Sequence, residues 1–267
     1  MKIPTQSEIR LSLLSWFFRN NLNRLAELFG SDKWGSHWYT QHYQRYLSHL
    51  RHLPLNILEI GIGGYDDPQG GGESLRMWKT YFRNSKIVGI DLHSKRHIAQ
   101  RRIDVRQLDQ TDRDGLISLS NEYGGFDIVI DDGSHLNADV ITTFRILFPI
   151  LKANGVYAIE DMQTSYWPTF GGGINNEESA MEFIKKRLDG LNYREIPDPC
   201  YQLSEFDRCR DDSASQYAIS EFDKHIVEIA AFHNLIVVRK GVNDEPSNIP
   251  LSVEREAMQL KISNRCR

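Results

Sequence analysis

The chain has 267 residues, 40% of them hydrophobic and 25% charged, with a formal net charge of -4 at pH 7. That length fits one large α/β domain with decorations, able to bury a sizeable core without disulfides or a structural metal. The slight acidity excludes a global electrostatic pull on nucleic acid, and a local basic pair such as Arg101-Arg102 reads as a solvated face.

The first apolar stretch, Leu11 to Phe18, is interrupted by two serines and followed by Arg19. It is too short to cross a bilayer, and no small-residue cleavage site follows it. The expectation is an amphipathic helix that docks on the body or on a second subunit, within a helical segment covering 1–50, and no membrane partner. Cys200, Cys209 and Cys266 are odd in number and lack C-x-x-C spacing. That usage predicts a reducing, cytoplasmic setting and no cysteine-rich zinc site.

From residue 51 onward, short apolar runs alternate with helical patterns, the signature of βαβ units and a parallel sheet. The runs are NILEI (56–60), KIVGID (86–91), RIDVRQL (102–108), FDIVID (126–131) and GVYAIE (155–160). Between them Leu75, Trp78 and Phe82 recur at helical spacing, as do Phe144, Leu147, Phe148 and Leu151. Residues 162–221 read as loops with a helix near 177–190, capping the sheet edge. IVEIAAF (226–232) and LIVVRKG (235–241) are separated only by His233 and Asn234, which forces an antiparallel hairpin. The fold predicted is a doubly wound, mostly parallel, seven-stranded α/β sheet closed by that hairpin, over 51–242. Residues 243–267 read as a loosely attached tail.

After the first strand come Glu59-Ile60-Gly61-Ile62-Gly63-Gly64, where glycine lets the backbone turn tightly and approach a ligand. The dinucleotide fingerprint needs a third glycine where Asp66 stands, and the helix near Ser74 begins too late to cradle a pyrophosphate. S-adenosylmethionine (SAM) is a nucleotide ligand without one. Asp91, at the end of the second strand, can accept both ribose hydroxyls. Asp109, after the third, can accept from an adenine amino group. Turn formation or helix capping is the structural alternative for Asp91.

FDIVIDDGSH (126–135) and Ala158-Ile159-Glu160-Asp161 end neighbouring strands, so Asp131, Asp132, Glu160 and Asp161 are expected in one crevice. Converging carboxylates repel unless protonated or metal-bound, and oxygen ligands without cysteine suit Mg²⁺ or Mn²⁺. His135, three residues after Asp132, is placed to take a proton as general base.

Several stretches resemble the metal-dependent sugar O-methyltransferases that tailor macrolide antibiotics. They are FGSDKWGSHWYTQHY (29–43), EIGIGGYDDP (59–68), GGESLRMWK (71–79), VIDDGSH (129–135), IEDMQTSYWPTFGG (159–172) and FHNLIVVRKG (232–241). The resemblance spans nearly all of residues 25–242. It implies a class I SAM-dependent methyltransferase domain, with Mg²⁺ held by Asp132, Glu160 and Asp161 and His135 as the base. It also implies cofactor contacts from Glu59, Gly61, Gly63, Asp91 and Asp109, with Lys33, His37 and Tyr39 at the methionine end. Tyr65, Ser74, Gln110 and Asp131 complete the expected cofactor set. Leu108 stands where the family often has glycine, and the 193–221 region matches none of its motifs. The large N-terminal domain of one family member has no counterpart, which leaves a homo-oligomer an open expectation.

The function expected is methylation of a saccharide hydroxyl by SAM with Mg²⁺. Two alternatives are a catechol-like aromatic diol as acceptor, which Trp38, Tyr166 and Trp167 would serve equally, and a non-catalytic SAM-binding scaffold. Asp66 and the closing hairpin argue against a nicotinamide oxidoreductase.

Overall fold

A computed structural model describes residues 5–64, 67, 69–193 and 220–245. β-branched and leucine-rich runs form seven strands: β1 (Asn56–Ile60), β2 (Lys86–Asp91), β3 (Ile103–Gln107), β4 (Ile128–Asp131), β5 (Val156–Ile159), β6 (Ile226–Phe232) and β7 (Leu235–Lys240). They make one sheet in the order β3-β2-β1-β4-β5-β7-β6. β1 to β5 pair in parallel, and β7 runs antiparallel to both β5 and β6. The two-residue connection between β6 and β7 closes with Asn234 in the left-handed region at φ 62. The chain builds outward from β1 to β3 and then returns to β4 on the other side of β1. A crevice therefore opens at the carboxyl ends of β1 and β4, where open α/β sheets bind ligands.

Period-two alternation gives the sheet two buried faces. One carries Ile57, Ile128, Ile130, Val156, Ala158, Leu235 and Val237 and lies under α2 (Leu22–Phe29), α3 (Thr40–Leu47) and α4 (Glu73–Tyr81). The opposite face carries Leu58, Ile60, Val129, Tyr157, Ile159, Ile236 and Val238. It is covered by α5 (Arg113–Glu122), α6 (Asn137–Ile150) and α7 (Ala180–Leu191). The N-terminal segment is thus a wall of the core: Leu22, Leu25, Tyr43 and Leu47 pack on Trp78 and Tyr81 of α4 in one cluster.

Two expectations need correction. The helix expected near 177–190 starts at Ala180, because Ser179 accepts from the Glu182 amide as N-cap and Asn176 holds Glu178 in a turn. α1 (Gln6–Phe18) is not amphipathic in the expected sense. Leu14 and Phe18 form a narrow half-buried stripe, while Leu13, Trp16 and Phe17 are 65%, 63% and 71% exposed. No described helix is long and apolar enough to cross a membrane.

Candidate active site

The crevice at the β1–β4 switch point holds a cavity of about 530 Å³, within the range of small-molecule sites. Its floor is the glycine turn. Gly61 takes φ +74, and a Cβ there would lie 2.1 Å from the Asp132 carbonyl oxygen, so the β1 and β4 loops touch only because this residue is glycine. Gly63 and Ser74 line the same wall. Asp91, at the end of β2, accepts from the His93 amide at 2.8 Å and faces the cavity half-buried. Asp109 lines the far end and accepts from the Thr111 amide and hydroxyl at 2.7 and 2.8 Å. Those bonds pull its carboxyl below the ordinary value. Gln110 is a brace: its Oε1 accepts from the Ser134 amide at 2.7 Å and its Nε2 donates to Thr143. It fixes the Asp132–His135 turn against α6. Tyr65 lies outside the described residues.

Strand alternation divides the acidic residues that the sequence grouped together. Glu59, Asp132 and Glu160 continue the face covered by the N-terminal helices, and Lys33 enters between them. Its Nζ is 2.7 Å from Asp132 Oδ2, 2.8 Å from Glu160 Oε2 and 3.3 Å from Glu59 Oε1. The lysine is 1% exposed. It was expected beside the methionine end of the cofactor; the structure buries it beneath the cavity, because the loop after α2 turns its side chain into the sheet. Glu59 lies there too, accepting from the Ser74 hydroxyl at 2.9 Å. Glu160 has both oxygens engaged, Oε2 by Lys33 and Oε1 by the Tyr43 hydroxyl at 2.7 Å. Asp131 points to the opposite face, where Tyr157 donates to it at 3.1 Å. It does not share the crevice with Asp132, since adjacent strand residues point to opposite sides.

Burial raises the proton affinity of Glu59, Asp132 and Glu160, and Lys33 opposes it in each case. For Lys33, burial works against the charge, but Asp132, Glu160 and Glu59 outweigh it and lift the ammonium well above its ordinary value. One ammonium offsets one of three carboxylates, so it stays charged and the carboxylates tend toward protonation.

On the cavity side, two non-glycine residues hold left-handed backbone, His135 at φ 58 and Asp161 at φ 52. Such strain is a signature of functional sites. It aims the two side chains at each other, His135 Nε2 lying 3.4 Å from Asp161 Oδ2 and 3.9 Å from Asp132 Oδ1. Tyr39 donates to Asp161 Oδ1 at 2.6 Å, and His37 Nδ1 lies 3.5 Å from the same oxygen. Burial would raise the Asp161 carboxyl, but the Tyr39 bond, His135 and further donors bring it below the ordinary value. Among the described residues, Asp132, His135 and Asp161 offer ligand atoms that all lie within 4.8 Å of one another. With Glu160 behind them, this acidic set exceeds the charge of Lys33. A divalent cation fits that deficit and those donors.

The Lys33 cage and Tyr43 were missed in the sequence because the pairings cross from the N-terminal segment to β1, β4 and β5. Trp38, Tyr166 and Trp167, at 52%, 46% and 47% exposed, sit one residue or a short turn from His37 and Asp161.

No protein-family model matches the chain. It is 40% identical over 240 residues to demethylmacrocin O-methyltransferase of Streptomyces fradiae, spanning 88% of this chain and 57% of that protein. Against mycinamicin VI 2''-O-methyltransferase of Micromonospora griseorubida it is 39% identical over 244 residues, again 57% of the relative. A mycinamycin-pathway methyltransferase solved with Mg and SAH superposes with a TM-score of 0.78 at 38% identity, over 90% of this chain and 60% of that one. The chain is thus similar, over nearly its whole length, to O-methyltransferases named for demethylmacrocin and mycinamicin VI. Its fold is that of the class I methyltransferases, as its sheet order and closing hairpin also show. It spans a little over half the length of these relatives.

Proposed function

We propose that this homologue is a SAM-dependent, divalent-metal-dependent O-methyltransferase that methylates a hydroxyl of a saccharide. The observation that carries the reading is one cavity lined at one end by Gly61, Gly63, Asp91 and Asp109 and at the other by Asp132, His135 and Asp161. Relatives named for 2'- and 3'-O-methylation of rhamnosyl tetracenomycins, and a similar methyltransferase crystallised with Mg, SAH and mycinamycin VI, support it.

In this reading Asp91 accepts the ribose hydroxyls, Asp109 and Gln110 border the adenine, and Ser74 and the glycine turn approach the cofactor's methionine end together with His37. Glu59, Lys33, Tyr39 and Asp131 act from behind, as the frame that fixes the lining residues. Asp132 and Asp161 would hold the cation, with Glu160 joining them where Lys33 yields its Oε2. Mg²⁺ or Mn²⁺ would supply Lewis-acid polarisation of a vicinal diol.

The chain's own work is positioning and proton transfer. His135 Nε2 accepts the proton of the acceptor hydroxyl, and Asp161, 3.4 Å away, stabilises the imidazolium that forms. The acceptor oxygen then bonds to the methyl carbon of SAM while the carbon–sulfur bond breaks and its electron pair stays on sulfur. The products are a methyl ether and S-adenosylhomocysteine. In-line approach is an entropic matter, set by holding both partners in one cavity. Trp38, Tyr166 and Trp167 offer exposed rings on which a sugar can stack, making the described part of the 162–221 cap, with the end of the 1–50 segment, the acceptor side of a 51–242 methyltransferase domain. Residues 194–219 of that cap and 246–267 of the tail lie outside the described residues. The acceptor is a small molecule rather than nucleic acid or membrane, the setting cytoplasmic, and any second subunit would meet the exposed side of α1.

Incubation with methyl-labelled SAM, Mg²⁺ and a panel of glycosides and catechols tests this. Label transferred to a glycoside and not to catechols is the expected outcome. Transfer confined to catechols moves the acceptor to an aromatic diol, and no transfer to any acceptor removes the enzymatic reading.

A further inference from the structure

Lys33 is a charge buried where three carboxylates converge. A lysine with 1% of its surface exposed is sustained only by partners, because an unpaired buried ammonium gives up its proton. It has three, and two of them, Asp132 and Glu160, are carboxylates to which the proposed function assigns the cation. The third, Glu59, is 0% exposed and bonded to Ser74. It has no route to the cavity.

We propose that Lys33 is an internal counter-cation that competes with a bound divalent ion for Asp132 and Glu160 and thereby sets the site's cation affinity. This rests on the metal-dependent reading above and adds a regulating residue to it. The physical case is Coulombic. An ammonium 2.7 Å from one oxygen of Asp132 withdraws the negative charge that an ion on the other oxygen would use. It also repels that ion across a medium of low dielectric. Lys33 equally keeps the ion-free site folded, since the buried Glu160 and the half-buried Asp132 would otherwise lack a counter-charge. Glu59 modulates it from the far side: by neutralising part of the lysine's charge, it weakens the lysine's hold on the other two carboxylates.

The geometry therefore predicts opposite signs for two substitutions that touch no ion. Lys33→Met should tighten Mn²⁺ binding by about tenfold or more, because one repelling charge leaves the site. Glu59→Gln should loosen it, because the lysine keeps its full charge. Lys33→Arg, which retains the charge, should remain near wild type. Mn²⁺ titration followed by electron paramagnetic resonance, with and without S-adenosylhomocysteine, reads these affinities without turnover. The ion-free melting temperature of Lys33→Met should fall, and saturating Mn²⁺ should recover more of it than in wild type.

If both substitutions weaken Mn²⁺ binding, Lys33 is only structural and the proposal is overturned while the metal reading stands. Wild-type protein that binds no Mn²⁺ would overturn the metal reading itself, and this inference with it. Should Lys33→Met fail to fold, Lys33→Gln, which keeps a hydrogen-bond donor beside Asp132 and Glu160 without the charge, takes its place: tighter binding upholds the proposal, and unchanged or looser binding overturns it.

Discussion

Asp131 and Asp132 are neighbours in the chain and opposites in surroundings. Asp132 closes the face under the N-terminal helices, where Lys33 brings a positive charge to within 2.7 Å. Asp131 closes the other face, where its partners are the neutral hydroxyl of Tyr157 and the Gly133 backbone, and no cation is among the groups that shift its carboxyl. Burial pushes the Asp131 carboxyl up to about 7, against an ordinary 3.8. The difference teaches how one sheet edge handles two neighbouring acids: the half-buried one receives a counter-charge and lines the cavity, while the buried one holds its proton to higher pH and serves the frame. His135 leaves the same turn on the charged side, its Nε2 3.9 Å from Asp132 Oδ1.

The comparison is broken most forcefully at His135. Replacing it with alanine should lower kcat by about 10²–10⁴-fold, the usual cost of losing a general base, while S-adenosylhomocysteine affinity is retained. Steady-state rates set beside Mn²⁺ titration separate its roles, since an equal loss of ion affinity would make the imidazole a ligand, and near-normal kcat would end the assignment.

Asp91→Ala tests the cofactor end, which lies apart from both acids. It removes a charged acceptor for the ribose hydroxyls, worth about 1.5–3 kcal/mol. Calorimetry should show S-adenosylhomocysteine binding weakened roughly ten- to hundredfold and no NAD binding in either protein; unchanged affinity would remove Asp91 from the site.

Tyr43→Phe sharpens the charged side from behind. It leaves Glu160 Oε1 buried without its donor at 2.7 Å. A stability loss of about 1–3 kcal/mol should appear in denaturant unfolding, and an unaltered midpoint would show that water replaces the hydroxyl.

The smallest effect is expected at Asp131. Its carboxyl binds a proton more tightly in the folded chain than in the unfolded one, so its stabilising contribution is present below pH 3.8 and is lost as pH rises through about 7. Asp131→Asn does not titrate. The melting temperature of the variant should therefore gain on wild type between those limits and hold level above them. A difference independent of pH would contradict the proton held at Asp131.

Much of this was legible in the sequence because the signals were local. NILEI, KIVGID, FDIVID and the His233-Asn234 connection gave strands and hairpin with their order, and β1, β2 and β6 begin and end where their apolar runs do. Asp91 ends β2, and Asp109, Asp132 and Asp161 each follow a strand by a residue or less of turn, so topology alone carries them to one edge. What stayed hidden depends on side-chain direction. The alternation that separates Asp131 from Asp132 is visible in the sequence, but which face receives Lys33 is not, because that depends on how the loop after α2 folds back over β1, β4 and β5. The same limit applies to Tyr43, one turn of helix from Tyr39 and committed to Glu160 instead of Asp161. α1 misled because a narrow stripe of Leu14 and Phe18 looks, in sequence, like one side of a wider apolar face.

The most direct test of the account is methyl transfer to a glycoside acceptor under metal control. Protein stripped with EDTA and freed of chelator should bind S-adenosylhomocysteine as before, yet transfer no labelled methyl group until Mg²⁺ or Mn²⁺ is restored. Full transfer after exhaustive chelation would contradict the account and leave Asp132, Glu160 and Asp161 as acids that Lys33, Tyr39, Tyr43 and the neighbouring histidines hold in place.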